Sequence, residues 1–136
     1  MNLQTLADRL NAECPLLGGR ARLLRDITEV ENVDGALPVA FVLRSNDNAA
    51  PADGMGGVVR QARTRTVAVL LMADPPCNDA EPMEALRAEI FDALLGWQPD
   101  PHTQLEYAGG EAQAPAAGID RWQDSFRYTD HLRSAQ

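Results

Sequence analysis

Few side chains in this sequence are spaced to do chemistry together. The nearest approach to a metal-ligand cluster is Asp74, Cys77 and Asp79, around Pro75-Pro76. A tetrahedral zinc site needs thiolate or imidazole donors at a recognisable spacing, and no histidine is near in sequence. A helix-entry loop with a partly buried cysteine accounts for these residues better. The two histidines are His102, beside a proline, and His131, next to Asp130 in an alternating stretch. Neighbours along a strand point to opposite faces, which is the wrong geometry for an acid–base pair. Cys14 with a distant histidine would make a thiol nucleophile, but its place at the end of a helical stripe reads as a buried helix-end cysteine. Gly54-Met55-Gly56-Gly57 is glycine-rich. A phosphate loop also needs a following Lys-Ser/Thr and a helix. Here lysine is absent and a strand follows. Asp47, Asp53, Glu81 and Glu84 read as surface acids. No catalytic, cofactor-binding or metal-binding residue is assigned, and the expectation is a protein that is not an enzyme and holds no cofactor.

The arginines are a different matter. All twelve basic residues are arginine, and Arg60, Arg63 and Arg65 fall in one strand-like segment. Period-two geometry puts Arg63 and Arg65 on one face and Arg60 on the other. One reading is a solvated strand end whose charges blunt an edge. The other is pairing with acids of a neighbouring subunit, since arginine is enriched at interfaces. Asp53 and Met55, in the glycine-bearing stretch just before, are the further candidates for an interface.

These residues need elements to place them. Leu3, Leu6, Ala7, Leu10 and Cys14 form a stripe at helical spacing, stopped by Pro15 and Gly18-Gly19. In residues 20–31, Leu23, Leu24, Ile27 and Val30 fit a short helix, while Ile27-Thr28-Glu29-Val30 also fits an extended segment. Leu37 to Leu43 reads as a strand with Pro38 among its first residues. Residues 44–57 read as a long loop by composition. Residues 58–73 form the longest strand expected, and its second half is apolar on both faces, so both faces must be covered. Asp79 is the expected N-cap of a helix carrying Met83, Leu86, Ile90 and Leu94, which ends near Gly96 and Pro99. A strand over about 104–114 carries a bulge at Gly109-Gly110. In the last strand Trp122, Phe126, Tyr128 and Leu132 share a face with Asp124 and Asp130. The expected fold is α+β: a mainly antiparallel four-stranded sheet with helices on one face, in the order α-(α)-β-β-α-β-β, as a single domain over residues 1–136.

Composition bounds the function. The chain has 136 residues and a net charge of −8, which argues against sequence-independent nucleic-acid binding. Its two cysteines and a charged N-terminal stretch lead us to expect a reducing compartment, the cytoplasm or a particle built there. No run reaches the ~18 apolar residues of a membrane span.

Several segments together resemble the phage tail terminator proteins of Mu-like phages and prophages. They are Leu37 to Leu43, the glycine-bearing loop, Val58-Val59-Arg60-Gln61 leading to Val67-Ala68-Val69-Leu70, Glu84 to Pro99, Tyr107-Ala108-Gly109-Gly110 and Trp122 to Phe126. The resemblance covers about residues 37–133. It implies a structural virion protein of the tail, assembled in the host bacterial cytoplasm. Its implied partners are its own copies in a hexameric ring, the tail tube protein and a head–tail connector protein. DNA passes through such a ring without specific binding, and neither a membrane nor a small-molecule substrate is implied. The resemblance brings no catalytic residue. Another head–tail connector or tail-completion protein, and a small α+β enzyme or ligand-binding domain, are the alternatives.

Overall fold

The computed structural model describes residues 1–25, 29, 35–55, 58–116 and 118–135. Helix α1 spans Leu3–Glu13. The Asn2 side chain caps it, accepting the Gln4 backbone N–H at 2.8 Å, as an N-cap residue should. Leu6, Ala7 and Leu10 are its buried stripe. Pro15 then opens a short 3-10 turn, Pro15–Leu17, closed by Gly18 in the left-handed region.

The next segment corrects the sequence reading. Ala21–Leu23 is a strand, β1, paired in parallel with the strand that begins at Val39. Asn11 holds it in place: its side chain accepts the Ala21 N–H at 2.8 Å and donates to the Ala21 carbonyl at 3.0 Å. Those bonds reach from a helix across sequence, so local pattern could not show them. Of the stretch read as helix or strand, residues 26–28, 30 and 31, including Ile27 and Val30, lie outside the described residues.

Strand β2 runs over Val39–Ala49, well past Leu43. Strand β3 covers Asp53–Met55 and strand β4 covers Val58–Ala73. The expected loop at 44–57 is therefore mostly strand. Its polar composition is real, but it pairs with the polar first half of β4, from Asn46↔Thr66 to Ala49↔Arg63, after an irregularity between Arg44 and Asn46. A ladder with water on its faces needs no apolar residues. Pro51, which has no N–H to give, lies in the break between β2 and β3.

Helix α2 spans Pro82–Leu94. Its N-cap is Glu81, with no side-chain cap bond, rather than Asp79. Proline suits the first helical position because its fixed φ is already helical. Leu95 is the C-cap of the helix, and Gly96 follows at φ 76°, a left-handed step that glycine takes without steric cost. Strand β5 covers Glu106–Ala116 and strand β6 covers Ile119–Ala135. Their register shifts between Tyr107 and Gly109, so the bulge sits where the double glycine foretold it.

The sheet order is β1-β2-β4-β6-β5, with β3 pairing β4 beyond the end of β2. The sheet is mixed and six-stranded, not antiparallel and four-stranded. The two extra strands are three residues each, too short to leave a period in sequence. α1, α2 and one face of the sheet enclose the main core, including Leu6, Leu10, Val67, Val69, Leu71, Leu86, Ile90, Phe126 and Tyr128. On the other face Val39, Phe41, Leu70 and Met72 form a second buried cluster, flanked by Leu24, Leu37, Leu43 and Ile119. The second half of β4 is thus buried on both faces within one chain.

Candidate functional site

Two charged networks lie on the helix side of the sheet. The first is on the part of the sheet that continues past the core. Arg63 donates to both oxygens of Asp130 at 2.9 and 2.7 Å. Asp47 lies 3.6 Å from Arg63 and accepts from Arg65 at 3.0 Å. The alternation that put Arg63 and Arg65 on one face also puts Asp47 and Asp130 there, because Asp47↔Arg65 and Arg63↔Asp130 are cross-strand partners. The bidentate bond from Arg63 holds the Asp130 carboxyl below its ordinary value of 3.8. Arg63 and Arg65 therefore have partners inside their own chain.

Arg60 stands on the opposite face, exposed, with Asp53 on one neighbouring strand and Arg133 on the other. Asp53 is exposed too. Met55 pairs with Val58 through its backbone at the start of the same hairpin. The five residues singled out in sequence thus divide: Arg63 and Arg65 in an internal network, Arg60 and Asp53 side by side on the other face, Met55 at the hairpin.

The second network was missed by sequence reasoning. Asp124 is fully buried. It accepts from Arg87 Nε at 2.9 Å and from the other Arg87 nitrogen at 3.1 Å, from the Tyr107 hydroxyl at 3.1 Å and from Trp122 Nε1 at 2.9 Å. Four donors saturate a carboxylate, which is what a buried one needs. The guanidinium of Arg87 also lies over Trp122 at 4.4 Å and over Phe91 at 5.3 Å, both within cation–π range. Its bonds to Asp124 raise the Arg87 pKa further above an already high range. Burial, then the charge of Asp124, pushes the Tyr107 hydroxyl upward. A side chain at Gly110 would put its first carbon 2.7 Å from the Tyr107 hydroxyl and 2.8 Å from Trp122 Nε1. The glycine is there to let the network close. The signal in sequence was Asp124 itself, an acid on an apolar strand face.

Chemically, neither network is a reactive site. The strong acceptor Asp124 is spent on four donors, and Arg87 is neutralised. Cys14 is buried and donates to the Glu89 carbonyl at 3.5 Å; burial first, then Glu89 and Glu13, pushes its thiol up to about 12. That is the wrong direction for a nucleophile. Cys77 is exposed, not partly buried. Among the described residues no group of three His, Cys, Asp or Glu could hold a metal ion, and no helix is long and apolar enough to cross a membrane.

The arrangement is that of an α+β structural domain, with its charged side chains used to hold elements together. Residues 1–136 match the family described as Phage tail terminator protein, and the chain belongs to that family. The family is one of structural proteins of the phage tail, not of enzymes. No curated protein matches the chain.

Proposed function

We propose that this protein is the subunit of a homo-hexameric ring that caps the phage tail tube. The ring stops tube polymerisation and offers the surface to which the head joins, through a connector protein. The observation that carries this reading is the family match over residues 1–136; the whole chain acts as one such domain.

The fold supports it. β4 and β6 are paired from Val58↔Ala135 to Ala73↔Asp120, and only the half from Val67 onward in β4 is fully buried. The other half stands clear as a β-arm with side chains available for contact. Arg60, Arg63, Arg65, Asp53 and Met55 all belong to it. The internal pairing of Arg63 and Arg65 stiffens the arm, which leaves Arg60 and Asp53, on the opposite face, open to contact. A net charge of −8 suits a channel through which DNA slides without being held. Assembly takes place in the bacterial cytoplasm, before the tail meets the head.

The test is a deletion in the phage, followed by electron microscopy of the lysate. Overlong, headless tails are the expected result. Tails of uniform, normal length that join heads would overturn the proposal. Tails of normal length that fail to join heads would point to a completion protein instead.

A further inference from the structure

Charge is distributed very unevenly along this molecule. Residues 44–66 and 127–135, which build the β-arm, carry six arginines and three aspartates. Residues 74–100, which form α2 and its flanks, carry seven carboxylates and one arginine. That one arginine is Arg87, already held by Asp124. The chain is therefore a cationic arm on a strongly acidic body.

The arm tip and the acidic loop cannot neutralise each other within one chain. β4 joins them: the arm tip is at its start, Val58, and the acidic loop of Asp74, Asp79 and Glu81 follows its end, Ala73. Its 16 residues, at roughly 3.3 Å each, hold those ends about 50 Å apart. Charges interact over a screening length of about 8 Å at physiological salt.

At the tip two arginines meet one aspartate, because Arg60 lies between Asp53 on one strand and Arg133 on the other. Arg60 and Arg133 are direct cross-strand partners, both exposed. Like charges placed opposite each other destabilise a sheet, and among the described residues neither has an ion-pair partner. At the same tip Val59, Gln61, Leu132 and Arg133 line a shallow depression, with Leu132 41% exposed. The tip thus carries the Arg60 and Arg133 pair on one face and an exposed apolar side chain, Leu132, on the other.

We infer that the arm tip, through Arg60 and Arg133, docks on the acidic loop of Asp74, Asp79 and Glu81 in a second copy of this chain. The inference rests on the ring reading and supplies its interface. The contact is heterologous: the tip of one copy meets the opposite end of the next, and such contacts close into rings when the rotation allows. A second copy is favoured over nucleic acid because three aspartates are interleaved with the arm's arginines, while the complementary acidic surface is carried by the chain itself.

The experiment is charge reversal read by sedimentation velocity at low and high salt. The wild-type chain should self-associate, more weakly as salt rises. Arg60→Glu with Arg133→Glu should weaken association by about tenfold or more, and so should Asp79→Arg with Glu81→Arg. Equal circular dichroism and melting temperature establish that each variant is folded. A chain carrying all four reversals should recover association, because the attraction is restored with its signs exchanged. A mixture of the two double variants should recover it too. Association that is unaffected by the arm reversals overturns this interface and leaves the ring reading standing. A wild-type chain that stays monomeric at low salt also overturns it, while tail length in the deletion phage judges the function separately. Loss of association in the arm variant without recovery in the fourfold variant overturns the acidic loop as the surface the arm meets. Retention of duplex DNA by the wild-type arm, lost in the arm variant, assigns it to nucleic acid.

Discussion

Arg87 on α2 and Asp124 on β6, 37 residues apart, are joined by two hydrogen bonds of 2.9 and 3.1 Å. This pair is the polar rivet between helix and sheet. Arg87→Ala leaves a fully buried carboxylate without its countercharge. Removing one partner of a buried pair costs about 3–5 kcal/mol, and chemical denaturation should show a loss of that size. Arg87→Met with Asp124→Leu removes both charges and should cost clearly less than the two single changes added together. A loss below about 1 kcal/mol for Arg87→Ala, the size expected of an exposed ion pair, would show that the pair is solvated in solution.

Gly110 gives a sharper test of the same network. Alanine there is small, and its backbone needs are ordinary, yet its methyl would meet Asp124, Tyr107 and Trp122 at once. Gly110→Ala should destabilise by about 1–3 kcal/mol, the usual cost of overpacking. Tryptophan fluorescence should shift with it, since Trp122 loses its bond to Asp124. A variant as stable as the parent would mean that the hairpin relaxes freely.

Asp130 sets an acid limit on the arm. Its carboxyl is lowered by Arg63, with Arg65 adding to the effect and burial opposing it. A lowered folded value means that the ionised group contributes its stability above the unfolded value of about 3.8, and that this is lost as pH falls through the folded value. Asp130→Asn should therefore melt below the parent at neutral pH. The gap should close as the pH is taken below about 3.8. A gap that stays constant on acidification would show that Asp130 acts through packing alone.

The two cysteines should separate cleanly in thiol labelling. Cys77 is exposed and Cys14 is buried with its thiol raised to about 12. At about pH 8, a maleimide should modify one thiol quickly. The second should react only after unfolding by denaturant. Cys77→Ser should remove the fast phase. Fast labelling of Cys14 in the native chain would mean that the end of α1 opens readily.

Much of the architecture was legible in the sequence, and what was missed has a consistent cause. The stripes of α1 and α2, the length of β4, the bulge at the double glycine and the alternation of β6 are local periodicities. They are set by side-chain burial every 3.6 or every two residues, so a sequence displays them. β1, β3 and the outer half of β2 are ladder-dependent: β1 exists because β2 lies beside it, and residues 44–49 are extended because β4 gives them a partner. Polar residues in a solvated ladder leave no hydrophobic signal, so that segment read as loop.

The sequence by itself determined the family, the α+β class, the two-faced burial of β4 and the opposite faces of Arg60 and Arg63. Each follows from residue type and spacing along one chain. Only the tertiary structure decided that Arg63 and Arg65 meet Asp130 and Asp47, that Arg87 meets Asp124 across Gly110, and that Arg60 is left beside Arg133. Pairings of that kind depend on strand register, and register is fixed by contacts between segments far apart in the chain.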